Sequence, residues 1–178
     1  MTMRDDYDFS QGAKNPYTKK SQSGSFMIRP LGPDDTKAAL ELVSASGLFS
    51  PQDMETIKIR LGDYIHGTGD SLWIIHVGQD LDGLLYCLPE PMTHGTWNIL
   101  MLLVRGSSRG KGVGTALMKE AQKLLIEQNA RLLMVETSGT EDFEGAQRFY
   151  SQCGFVEVAR IPDFYDDGDY KVIFTKTA

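Results

Sequence analysis

The sequence predicts a single α/β domain, a mixed sheet with helices on its faces. Three observations carry this. Short β-type runs separated by tight breakers stand at both ends of the folded part. A long apolar run at 97–104 has the character of a strand buried on both faces. Helical apolar periodicity then separates that run from the next strand, so the middle of the chain connects by helical crossover. At 178 residues, the chain suits one hydrophobic core and is short for two domains.

Residues 1–24 are expected to be a flexible N-terminal tail, rich in Asp, Lys, Ser, Gln and Gly and without sustained periodicity. The folded domain is expected over 25–178. It opens with a strand at 26–29, stopped by Pro30 and Gly32. Pro33 and Asp34 start a helix whose apolar face, Ala38, Ala39, Leu42 and Val43, runs to about Ala45. Ser50 is an N-cap and Pro51 the first position of a second helix, with Met54, Ile57, Leu61 and Ile65 as its stripe. Strands at 71–77 and 82–88 flank a tight hairpin connection. After the 97–104 strand comes a polar, glycine-rich loop at 106–114. Val113, Ala116, Leu117, Ala121, Leu124 and Leu125 then fall at helical spacing. A strand at 131–136 and a short helix at 143–153 follow, the helix turning Ala146, Phe149 and Tyr150 inward and ending at Gly154. Strands at 155–161 and 170–176 close the domain, joined by an acidic loop at 162–169.

Composition narrows the function. Hydrophobic residues make up 41% and the net charge is -6, which fits a packed globule and speaks against a general nucleic-acid binder. Cys87 and Cys153 form no CxxC pair and read as buried thiols in a reducing compartment. The polar start, with Asp5, Asp6 and Asp8, lacks a signal-peptide run, and no apolar stretch reaches membrane-spanning length. A cytoplasmic protein with no membrane partner is the expectation. His66, His76 and His94 have no spacing or neighbours that make a ligand set, so no metal is expected.

The sharpest feature is Arg109-Gly110-Lys111-Gly112-Val113-Gly114-Thr115, set between a buried strand and an amphipathic helix. Glycines let backbone approach a ligand closely, and free N–H groups at a helix start bind phosphate oxygens. Arg109 and Lys111 add charge. The pattern reads as an anion cradle; the bland alternative is an ordinary glycine-rich turn. A dinucleotide fold wants GxGxxG after its first strand, and here the glycines stand at 110, 112 and 114 in mid-chain. A nucleotide-triphosphate loop wants GxxxxGK then Ser or Thr; residues 106–111 read GSSRGK, one residue short, with Gly112 next.

RGKGVG at 109–114 resembles the phosphate-binding signature of the GCN5-related N-acetyltransferase superfamily, which Arg109, Gly112 and Gly114 meet. The stretch 146–155, AQRFYSQCGF, is similar to a second motif of the same superfamily, Ala-x-x-Phe-Tyr-x-x-x-Gly-Phe. The resemblance runs over roughly 27–176. It implies a mostly antiparallel sheet of six to seven strands with a V-shaped splay between the two middle ones. It further implies acetyl-CoA as cosubstrate, its pyrophosphate on the N–H groups of Arg109, Gly110, Lys111, Gly112, Val113, Gly114 and Thr115. The pantetheine arm would pair with the backbone near Leu102, Leu103 and Val104. The implied reaction is direct acetyl transfer to an amine in a ternary complex, with Tyr150 matching the tyrosine that protonates the departing thiolate. Many relatives dimerise.

Two departures from the pattern stand out. Where some members place a glutamate base, this chain has Asn98 or Trp97; Glu136 is the leading candidate base, with Glu90 and Asp142 behind it. Phe143 stands where many relatives carry an asparagine on the cofactor arm. The acceptor, a small-molecule or peptide amine, is unassigned. Asp163, Asp166, Asp167 and Asp169 with Phe164 and Tyr165 are either an amine-binding wall or a solvated turn. The alternative to an enzyme is a non-catalytic acyl-CoA sensor on the same fold, which fits the missing glutamate.

Overall fold

In the computed structural model, which describes residues 26–178, the order is β1 (Met27–Pro30), α1 (Thr36–Ala45), α2 (Pro51–Ile65), β2 (Leu72–Val77), β3 (Leu81–Pro89), β4 (Thr96–Val104), α3 (Val113–Glu127), β5 (Leu132–Ser138), α4 (Glu144–Gln152), β6 (Val156–Asp166) and β7 (Asp169–Thr177). The tail expected over 1–24 lies outside the described residues. The strands form one sheet in the order β1-β2-β3-β4-β5-β7-β6. Only β4 and β5 run parallel, and α3 is the crossover between them.

Each sheet face has its own core. Ile74, Leu85, Ile99, Leu133, Val135 and Phe174 pack under α3 and α4 with Leu117, Ala121, Leu125 and Tyr150. Trp73, Ile75, Leu84, Met101 and Leu103 pack under α1 and α2 with Ala39, Val43, Ile57 and Leu61. Burial on both faces explains why the central strands read as unbroken apolar runs rather than alternating ones. Each buried Leu or Ile contributes on the order of 1.5–3 kcal/mol.

The helix starts follow their sequence signals. Asp53 N–H donates to Ser50 Oγ (3.2 Å) and Ser50 N–H donates to the Asp53 carboxylate (2.9 Å), closing a capping box. The helix expected to begin at Pro33 starts instead as a 3-10 turn, Pro33–Asp35, and becomes α-helical at Thr36.

The last hairpin corrects the sequence reading. The loop expected at 162–169 is mostly strand, with β6 reaching Asp166 and β7 starting at Asp169. Gly168, at φ 82°, makes the tight turn. Three of the four aspartates serve backbone: Gly168 N–H donates to Asp163 (2.9 Å), Asp167 N–H to Asp166 (2.8 Å), and Gly139 N–H to Asp169 (3.3 Å). Between the pairs Ile161↔Lys171 and Asp166↔Asp169, β6 takes five steps where β7 takes two. The surplus bulges out, with Asp163 at φ 52°, and carries Phe164 and Tyr165.

Candidate active site

The site begins where β4 and β5 part. They pair only from Thr96↔Leu132 to Ile99↔Val135. On the other edge of β4, Tyr86 of β3 faces Met101 while Cys87 faces Ile99, so Leu100 is an extra residue in the strand. This bulge bends β4 away from β5, which stays on β7 through Ser138. Among the described residues, the β5-facing edge of β4 beyond Ile99 therefore has no strand against it. The gap is a cleft of about 500 Å3 lined by Leu100, Leu102 and Leu103 of β4, Glu136, Thr137 and Ser138 of β5, Phe143 and Tyr150 around α4, and Tyr165 and Asp169 of the last hairpin.

β4 runs directly into the glycine loop. Gly110 (φ 72°) and Gly112 (φ 82°) both take left-handed backbone, which side chains with a Cβ adopt only under strain. The first bond of α3 is Ala116 N–H to Gly112 O (2.9 Å). The N–H groups of Val113, Gly114 and Thr115 therefore lie ahead of the helix ladder, at its positive end. A Cβ on Gly114 would stand 3.3 Å from the Phe149 ring and 3.6 Å from Val104 Cγ2, so this glycine lets the helix start press against α4 and the end of β4.

The loop is braced from β3 by residues the sequence did not point out. Ser108 Oγ donates to Asp82 (2.7 Å), Arg105 N–H to Asp82 O (2.8 Å), and the Arg105 guanidinium to Leu81 O (3.0 Å). A Cβ at Gly83 would meet Val113 Cγ1 at 2.8 Å and Leu117 Cδ1 at 2.9 Å, so only glycine admits α3 this close to the sheet. The pattern signal for both is weak, because an Asp and a Gly after a hairpin turn look like turn residues. Arg109 Nε donates to Val104 O (3.4 Å).

Tyr150 sits on α4, the short helix on which the sequence turns it inward, and lines the cleft. Phe155 and Phe174 pack around its ring, and burial pushes its phenol up to about 12. Glu136 lines the same cleft but is not free: Lys171 Nζ stands 2.5 Å from its carboxylate, and that ammonium lies 4.2 Å over the Phe164 ring. Leu102 and Leu103 line the cleft, and Val104 packs against the α3 core at its end. Phe143 also lines it. Asn98 is buried on β4, and its Oδ1 has no hydrogen-bond partner. Glu90 lies just beyond β3 and Asp142 in the turn before α4; neither lines the cleft. Leu48 and Phe49, in the α1–α2 connection around 44–52 that the sequence marks as a selectivity loop without singling out residues, also line the cleft.

Among the described residues no His, Cys, Asp and Glu cluster has metal-binding geometry, and no helix is long and apolar enough to cross a membrane. Burial pushes the Cys87 thiol up to about 12 and raises that of Cys153, so neither is an activated nucleophile.

Known proteins resemble this chain in sequence and in fold. The model of the acetyltransferase (GNAT) family matches residues 39–155. An uncharacterised N-acetyltransferase of Methanocaldococcus jannaschii is 29% identical over 86 residues, 48% of this chain and 54% of that protein. The match thus spans about half the length of that relative. A GNAT-family chain from Desulfovibrio desulfuricans superposes with a TM-score of 0.80 at 25% identity, covering 86% of this chain and 99% of the other. The PaiA N-acetyltransferase of Thermoplasma acidophilum, in complex with coenzyme A, shares the fold with a TM-score of 0.64 at 18% identity, covering 86% and 99%.

Proposed function

The chain belongs to the acetyltransferase (GNAT) family, and from that premise we propose that it moves an acetyl group directly from acetyl-CoA to an amine, in a ternary complex. The observation that carries this is the continuity of the open β4 edge with the glycine loop. An extended arm bearing amides fits the unpaired edge at Leu102–Val104, and a pyrophosphate fits the free N–H groups at the start of α3. The same fold holds coenzyme A in the Thermoplasma protein.

Bound acetyl-CoA supplies a thioester, whose carbonyl carbon is the electrophile. The chain's own residues do the rest. The 109–115 loop binds the phosphates. The Tyr150 phenol, protonated at neutral pH, donates a hydrogen bond to sulfur as negative charge develops there. Glu136, held beside Lys171, takes the amine proton through a water.

The test is calorimetric titration of acetyl-CoA into the wild type and into a Gly112→Val/Gly114→Val double variant. Tight binding by the wild type and its loss in a folded double variant is the expected result. A folded wild type that does not bind overturns the reading. Binding without acetyl release to any amine would favour the sensor alternative, which the ion-paired state of Glu136 makes worth testing.

A further inference from the structure

The cleft has a second wall, away from the glycine loop, and its chemistry bears on which amine enters. Three large side chains, Leu48 from the α1–α2 connection, Leu100 from the β4 bulge and Tyr165 from the β6 bulge, reach this mouth and stay 56%, 48% and 48% exposed. Singly exposed apolar residues are ordinary; three converging from separate elements on one opening are the mark of a binding surface.

The ionic groups on the wall are few and already engaged. The charged side chains lining the cleft are Glu136 and Asp169. Glu136 is neutralised by Lys171, itself largely buried. Asp169 accepts from Ser138 Oγ (2.7 Å) and Gly139 N–H (3.3 Å), and among the described residues no Lys or Arg forms an ion pair with it. Burial first, and then the neighbouring Glu136 and Asp169 carboxylates, raise the Tyr165 phenol; with Lys171 paired to Glu136, Asp169 is the cleft carboxylate left to meet an ammonium. That wall attracts one cation. A second would lie against leucine or face the Lys171 ammonium, at a desolvation or repulsion cost.

We propose that the acceptor is an amphipathic monoamine, a single primary amine beside an apolar group, with Leu48, Leu100 and Tyr165 holding the apolar part and Asp169 drawing in the ammonium. The α-amine of a peptide whose first side chain is apolar and a free arylalkyl amine share this chemistry. Polyamines and aminosugars do not. The inference rests on the acetyl-transfer reading above. In the step itself the neutral amine nitrogen bonds to the thioester carbon and the C–S bond breaks. One amine proton leaves and the thiolate gains one, giving an N-acetyl amide and the free thiol.

The experiment measures thiol release from acetyl-CoA with five acceptors: a tetrapeptide with leucine first, the same peptide with aspartate first, 2-phenylethylamine, spermidine and kanamycin. Binding of each amine is measured in parallel by calorimetry without acetyl-CoA. The leucine peptide or 2-phenylethylamine should exceed spermidine and kanamycin by at least about tenfold in kcat/KM and in affinity, the scale of one apolar contact. Which of the two leads tells a peptide source from a free amine. Leu48→Ser, at an exposed loop position, should raise KM for the apolar acceptors about tenfold and leave acetyl-CoA affinity unchanged. Preference for spermidine, kanamycin or the aspartate peptide overturns the proposal, as does indifference to Leu48→Ser. Selective amine binding without thiol release would instead count against acetyl transfer and leave the ligand class standing.

Discussion

Burial decides what Tyr150 can do. With its phenol pushed up to about 12 by burial, it stays protonated near neutral pH, so it can donate but is no base there. Tyr150→Phe is expected to lower kcat about 100-fold, the low end for acid catalysis, with acetyl-CoA affinity nearly unchanged. Steady-state kinetics beside calorimetry checks this; an equal loss of affinity would make Tyr150 a packing residue. His76 offers a second test. Its ring stacks on Phe26 at 4.8 Å, Nδ1 has no hydrogen-bond partner, and Asp82 stands 3.6 Å away. Burial lowers its pKa, outweighing the Asp82 charge. The unfolded chain therefore takes up a proton first, so this stability is full above about 6.5 and is lost as pH falls through the lower folded value. Melting temperature should drop on acidification from pH 7 to 5.5, and His76→Phe should flatten that part of the profile. At this scale the sequence pointed to Tyr150 and the glycines through motifs whose residues stand close together along the chain, and to Glu136 as the only acid over 132–138. It could not show that Lys171, thirty-five positions after Glu136 and on another strand, occupies that carboxylate.

Elements position the site through glycine and bulge, with Asp82 and Arg105 bracing the loop from β3. Gly83 is the clearest case, since two side chains of α3 already occupy the space of its missing Cβ. Gly83→Ala is expected to cost about 1–3 kcal/mol, the usual range for overpacking, and to push the start of α3 outward. Denaturant unfolding gives the first number. Acetyl-CoA affinity should fall alongside it, because the displaced helix start carries the free N–H groups. An alanine variant that binds normally would show the loop to be independent of β3. Element existence was largely legible, since apolar period and breakers are local signals. Two features were not. The Leu100 bulge lies inside an unbroken apolar run, where nothing marks an extra residue. The last hairpin reads as a loop because its aspartates look like solvated turn residues, yet three of the four accept from backbone N–H groups.

For the molecule as a whole, two cores lie on opposite faces of one sheet and meet across it. Leu117 is fully buried at the centre of the larger. Leu117→Ala should cost about 2–5 kcal/mol in equilibrium unfolding. A much smaller loss would mean that α3 packs loosely on the sheet. The mixed sheet, its crossover and its seven strands followed from the order of elements. How far β4 and β5 stay together did not, since pairing length depends on tertiary register. That register joins β1–β4 to β5–β7 by only four residue pairs. The sheet is in this sense two leaves sewn by a short seam, with a strand's width left open above it. Among the described residues no strand meets the backbone amides along the open edge of β4 at 100–104, so a fraction of them should trade hydrogen for deuterium quickly in the free protein. A ligand arm laid into that gap takes the place of a missing strand, and the same amides should then become slow. Exchange measured on that one peptide, with and without coenzyme A, would show whether the ligand finishes the sheet or merely rests on it.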